Sequence, residues 1–370
     1  MQKNKKIIFI SIIVIALCLC GIFIAKNILY SQNEFGKNSS NIVIVDMAGR
    51  KVTIPKTVNK IYTTSPVGQI FIYTLNPDKL AGWNYKLSDM EKKYIDPKYW
   101  DLPVLGGSFG KNSSLNPEVI LNIKPDIIIN MANIDQTAIS SSNQLQKQLN
   151  IPVVMVDGSL TKLDKSYTFA GNIIGEKNKA NELAKFCKDS ISYIQDRVSS
   201  VPENKKTRIY YAEGPKGLET DPQGSQHTEV IDLVGGINIA NVSKKTGYGR
   251  SEVSFEQVLV WNPDLILICP ETGSSNPFYQ NIFKDNKWNK LEAVKNKKVV
   301  MVPYGPFNWF DRPPSVNRVL GSLWLANLLY PDVYKYDIKA KTKDFYQKFY
   351  HYNLSDKEVN ELLQNAKLVK

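Results

Sequence analysis

The chain has 370 residues, enough for two domains with ordinary cores. At 43% hydrophobic and 22% charged residues it is neither disordered nor low in complexity. The formal charge of +12 is spread as single Lys and Arg between Asp and Glu, apart from Lys3, Lys5, Lys6 and Lys26, which excludes a nucleic-acid stripe.

Those four lysines belong to the first segment. Met1–Lys6 is basic, an apolar stretch of about 19 residues follows from Ile7, and Lys26 closes it. The length is near the ~20 residues that a bilayer core needs. The basic end comes first, so the rest of the chain is expected outside the cytoplasm. Residues 1–30 therefore read as a secretory signal, a lipoprotein signal or a membrane anchor. Leu17-Cys18-Leu19-Cys20-Gly21 resembles a lipobox, which makes Cys20 the candidate for lipidation. Leu19 departs from the small residue usual before that cysteine, so an uncleaved anchor stays open. Residues 31–41 are a polar tether.

Strand-like runs at Ile42–Asp46 and Lys51–Ile54 flank Gly49, a hairpin signal. Lys60–Thr63 and Leu80–Trp83 read as strands and Gly68–Leu75 as a helix. A helix near Ser141–Leu149 and a strand at Val153–Val156 follow. From Leu163 to Ser199 apolar residues recur at helical spacing without proline, although Gly171 and Gly175 weaken the start. A second series contains strands at Arg208–Tyr211 and Val299–Val302. Helices are expected near Thr228–Leu233, over Ser315–Leu329 and within Phe345–Gln364. Strands alternating with helices predict an α/β fold with mostly parallel sheets. The boundaries are an N-terminal lobe at 42–160, a connecting helix at 161–200 and a C-terminal lobe at 201–370.

One phrase occurs twice. Asn116-Pro-Glu-Val-Ile-Leu-Asn-Ile-Lys-Pro-Asp-Ile-Ile-Ile129 aligns with Ser254-Phe-Glu-Gln-Val-Leu-Val-Trp-Asn-Pro-Asp-Leu-Ile-Leu267. Glu118 and Glu256 stand in register, 138 positions apart, too far for a solenoid repeat. Each phrase reads as a short helix, a Pro-Asp stop and a buried strand, so the fold has two similar lobes and a cleft. Asn116 with Pro117, and Ser254 with Gln257, are helix-start patterns. Both glutamates then lie in a first helical turn, where the dipole favours negative charge. As a pair on one rim they are candidates for docking.

Together, Asp46-Met47-Ala48-Gly49-Arg50, Val52-Thr53-Ile54-Pro55 and the repeated phrase resemble the substrate-binding proteins of ABC importers for iron–siderophore, haem and cobalamin. The resemblance covers roughly residues 42–365. It implies two Rossmann-like lobes joined by one long rigid helix, with the ligand between them. It also implies an ABC permease with its ATPase as partner, and Glu118 and Glu256 as the glutamates that meet permease arginines. No cofactor and no nucleic acid is implied.

The ligand-contact candidates lie at expected strand and helix ends. In the first lobe they are Ser65, Trp83, Ser108 and Phe109. The last two lie in Gly106–Gly110, whose backbone N–H groups suit an oxygen-rich ligand. In the second lobe they are His227, before a helix, and Tyr248 and Arg250 on a Gly-rich loop. Tyr304, Trp309 and Arg312 complete the set, in an aromatic loop between a strand and a helix. Aromatic rings suit a chelate and Arg suits carboxylate or oxyanion groups, although core packing and an Asp311–Arg312 pair explain the loop equally well. His227 and Tyr304 are the candidate metal ligands. The chain has two histidines, which disfavours direct capture of a bare divalent ion by a His cluster.

No HExxH, GxSxG, Walker A or CxxC motif is present, so a catalytic or zinc site is not expected. Cys187 and Cys269 either pair or stand as separate buried thiols. The expected function is an extracytoplasmic, membrane-held receptor for a metal chelate, ferric siderophore first, with haem, cobalamin, molybdate or tungstate as alternatives. A surface metal-cofactor enzyme is the competing class, and it would need these two cysteines as cluster ligands.

Overall fold

The computed structural model describes residues 40–109, 114–243, 250–270 and 276–368. Residues 1–30, with Cys20, and Tyr248 lie outside them.

The N-terminal lobe opens with an antiparallel hairpin, β1 (Asn41–Val45) and β2 (Lys51–Pro55). Asp46 accepts the Ala48 and Arg50 N–H groups in the turn, and its second oxygen accepts the Met155 N–H. That ties the hairpin to a parallel sheet of β3 (Ile61–Thr63), β4 (Ile127–Ala132) and β5 (Val153–Asp157), in the order β3-β4-β5. Every residue of β3 and β5 is buried, as expected of a sheet covered on both faces. Helix α1 (Pro66–Leu75) follows β3, α2 (Pro117–Ile123) precedes β4, and α3 (Gln136–Leu149) joins β4 to β5. The expected strand at Leu80–Trp83 makes only two single bridges, Leu80 with Ile61 and Trp83 with Val104.

The segment at 161–200 is not one helix. It folds as α4 (Leu163–Ile174) and α5 (Lys177–Val198). Gly175 ends α4 in the left-handed region at φ 82°, donating its N–H to the Gly171 carbonyl. A Cβ on Gly171 would fall 2.2 Å from that of Ala180, so glycine is what lets the two helices pack so closely. The 22-residue α5 is the bridge, lying against α1 of the first lobe.

The second lobe holds β6 (Arg208–Ala212), β7 (Glu219–Thr220), α6 (Glu229–Leu233), β8 (Ile237–Asn238), β9 (Ser251–Glu252), α7 (Phe255–Trp261), β10 (Leu265–Ile268), β11 (Val299–Met301) and α8 (Asn317–Leu329). Its parallel sheet runs β11-β10-β6-β8, and β7 pairs antiparallel with β9. Helix α5 also packs on α6 and α8.

The chain then returns to the first lobe through α9 (Ile338–Tyr350) and α10 (Asp356–Leu362). Tyr350 meets Tyr73, Phe349 sits edge-on to Tyr167, and Tyr94 packs against both Tyr346 and Tyr352. One apolar core therefore runs through both lobes. A junction this apolar holds them as one body.

The two phrases fold alike. Asn116 Oδ1 accepts the Glu118 N–H at the start of α2, and Ser254 Oγ accepts the Gln257 N–H at the start of α7. Both helices end on a left-handed residue, Lys124 and Asn262. Asp126 Oδ2 accepts the Asn59 and Lys60 N–H groups, and Asp264 Oδ2 accepts that of Arg208. The Lys60 and Arg208 side chains then donate to the closing carbonyls, at Ile123 and at Trp261 and Asn262.

Candidate functional site

A cleft of about 1390 Å³ lies between the lobes, lined by both. The N-terminal end of α1 opens onto it. There Ser65 caps the helix by position but makes no cap bond, and its buried Oγ has no hydrogen-bond partner. The helix start and this hydroxyl together favour an oxygen-rich ligand. Beside them Thr64 Oγ1 donates to Asn130 Oδ1 at 2.8 Å, and Asn130 donates to Ser142 at 2.8 Å. Phe109 stands edge-on to Tyr85, whose hydroxyl donates to Glu91.

The opposite wall is charged. Arg312 reaches Glu213 at 2.8 Å, Asp311 at 3.2 Å and Asp221 at 2.5 Å. Arg250 meets the same Glu213 oxygen at 2.9 Å. His227 Nδ1 bonds Asp311 Oδ1. These three carboxylates come from the end of β6, the loop after β7 and the aromatic loop, and all are buried. Arg312 adopts φ 52°, a left-handed conformation uncommon for a side chain of its size. Burial pushes the Glu213 carboxyl well above its ordinary range, with Arg312 opposing. Burial pulls the His227 imidazole down, but Asp311 more than offsets it and the net direction is up. Burial, then Glu91, raises the Tyr304 phenol, so a metal bound there must displace a firmly held proton. At the lobe junction Arg318 spans both sides, with Glu229 at 2.7 Å and the Gly158 carbonyl at 2.6 Å.

Asp221, His227 and Asp311 bring ligand atoms within 4.8 Å of one another, and Arg312 pairs with both carboxylates.

Ser65, Ser108, Phe109, His227, Tyr304 and Arg312 all line the cleft. Trp83, Trp309 and Arg250 do not. Trp83 is buried and donates Nε1–H to the Tyr99 carbonyl at 2.7 Å. Trp309 is fully buried, its carbonyl pressed against Gly321 of α8. Core packing therefore explains most of the aromatic loop. Arg250 is taken up by Glu213 and Glu219 behind the wall. The Gly loop also uses its own donors: the Ser108 N–H goes to the Thr64 carbonyl and the Gly107 N–H to Ser114. Cys187 and Cys269 are separate buried thiols, and neither lines the cleft. Glu213, Asp221, Asn130, Tyr85 and Arg318 were not foreseen. A signal existed for Glu213, an acid directly after an apolar strand.

Glu118 and Glu256 are exposed in the first turns of α2 and α7, without an ion pair among the described residues. Among those residues no helix is long and apolar enough to cross a membrane.

Two α/β lobes on a rigid helix around one ligand cleft define a solute-binding protein. The chain belongs to the periplasmic binding protein family, which its residues 76–304 match. Its members are solute-binding components of ABC transporters, not enzymes. An ABC transporter solute-binding protein from Sulfurospirillum deleyianum shares 32% identity at a TM-score of 0.80, over 87% of this chain and 99% of that one. The molybdate-binding protein MolA of Haemophilus influenzae is 28% identical over 83% of this chain and 90% of its own. The MolA structure with bound molybdate superposes at a TM-score of 0.65, with 25% identity over 85% of this chain and 99% of that one. The Fe(3+)-citrate-binding protein YfmC of Bacillus subtilis is 25% identical over 80% of this chain and 89% of its own.

Proposed function

We propose that the protein captures a metal chelate, ferric siderophore first, outside the cytoplasm and delivers it to an ABC permease and its ATPase. The observation that carries this reading is the cleft. Its volume is far larger than a bare ion needs, it is lined by rings and hydroxyls, and both candidate metal donors, His227 and Tyr304, are among its lining residues. Glu118 and Glu256 then place the protein on the permease, since exposed charges chiefly set orientation and encounter rate. Lipid on Cys20, or an uncleaved anchor, keeps the protein at the membrane.

A second reading, a molybdate or tungstate receptor, is favoured by the likeness to MolA and by the open N-terminus of α1. Calorimetric titration with ferric siderophores, ferric citrate, haemin, cobalamin, molybdate and free metals separates the two. Saturable binding of a ferric chelate is expected. Saturation by molybdate alone rejects the chelate reading.

A further inference from the structure

We propose that β1 is a self-pairing edge strand, to which a second copy of this chain adds its own β1 antiparallel about Val43, so that the protein associates as a two-fold pair. The inference goes beyond the ligand reading, because the strand shares no residue with the cleft lining.

The hairpin ladder fixes which backbone groups are free. The Lys56 N–H donates to the Ser40 carbonyl and the Asp46 N–H to the Arg50 carbonyl, so bonded pairs stand at both ends. Bonded and non-bonded pairs alternate along an antiparallel ladder, which makes Ile42 with Ile54 and Ile44 with Val52 the bonded pairs between them. The N–H and C=O groups of Asn41, Val43 and Val45 therefore point away from β2, and they meet no partner among the described residues. Their side chains share the outer face of the hairpin with Lys51 and Thr53, and Val43 is 67% and Val45 58% exposed. Natural edge strands are blunted by charge or proline, and β2 carries Lys51 and Pro55. β1 reads Asn-Ile-Val-Ile-Val and has neither. A lipid surface would leave the free N–H and C=O groups unsatisfied, so an apolar strand with an open backbone edge calls for another strand. The free groups match their own two-fold image. With Val43 opposite its copy, Asn41 falls opposite Val45 on either side, and each of these pairs exchanges two hydrogen bonds, about six in all. The two copies of Val43 then pack side by side on the outer face, a β-branched cross-strand pair.

The test uses the full chain in phospholipid vesicles, as an equal mixture of unlabelled and 15N-labelled copies treated with a suberate-length amine cross-linker. In the paired register the Lys51 Cα atoms of the two copies lie about 20 Å apart, from the strand spacing and the rise per residue. A mixed-isotope link between the two copies of Lys51 is expected, and its absence overturns the proposal. Val43→Glu alone and Val43→Lys alone each set like charges directly opposite one another, and the link should fall roughly tenfold. Mixing the two variants sets opposite charges there and should restore the link, a rescue that unfolded variants could not give. Thr53→Glu changes the same face without touching the β1 edge and should keep the link. A link retained in both single variants, not restored by mixing, or lost in Thr53→Glu overturns the proposal.

Discussion

The two lobes are nearly the same at their rims and quite different at the cleft. On the rim, α2 and α7 share their side-chain start caps, their left-handed stops and their Asp staples, and they carry Glu118 and Glu256 in register. In the cleft, the first lobe offers a helix start, an unpartnered Ser65 hydroxyl and the neutral Thr64–Asn130–Ser142 chain. The second lobe offers an ion network of Glu213, Asp221 and Asp311 against Arg312, with His227 on its edge. A surface read by one partner at two places gains from repetition. A surface that wraps one asymmetric ligand gains from divergence.

The sharpest way to break the comparison is on the charged wall. Arg312→Ala leaves Glu213 and Asp221 buried with fewer counter-charges, and should cost about 3–5 kcal/mol in denaturant unfolding. Loss of less than about 1 kcal/mol would mean that the network is not integral to the fold. Next come His227→Ala and Tyr304→Phe, each expected to weaken ferric-chelate binding at least about tenfold, or ~1.4 kcal/mol, by calorimetry. Unchanged dissociation constants would make both scaffold. On the rims, Asp126→Ala and Asp264→Ala should each destabilise by about 1 kcal/mol. Asp126 should cost somewhat more, because its oxygen accepts two N–H groups rather than one. A large disparity would show that the repeat is not energetic.

The smallest effect is a pH dependence confined to the first lobe. Burial pushes Asp157 up, but Ser159 and Lys162 more than offset it and hold its carboxyl below the ordinary 3.8. A depressed folded value means the contribution is complete above the unfolded value and is lost as pH falls through the folded one. Asp157→Asn should therefore lower the melting temperature at pH 5, and the difference should shrink as the pH is taken down below the ordinary 3.8. A constant gap would contradict the assignment.

The repeated phrase made the two lobes legible, because a Pro-Asp stop between a helix and a buried strand is local chemistry that needs no partner. Gly175 was visible as a weakness, but the break it makes depends on Gly171 meeting Ala180 across the helix pair, a tertiary fact. The aromatic loop was ambiguous for a similar reason. Composition does not distinguish Trp309, packed on α8, from Tyr304, which lines the cleft. Glu213 and Arg312 are 99 positions apart and meet only because parallel strands deliver their following loops to one edge of the sheet.

The most direct test of a repeated rim and a divergent cleft is ligand uptake by cells carrying Glu118→Ala with Glu256→Ala, beside calorimetry on the same protein. Both positions are exposed, so folding stability should stay within about 0.5 kcal/mol of the parent. Uptake at background with an unchanged dissociation constant is the predicted result. Normal uptake, or affinity falling in step with uptake, would contradict it.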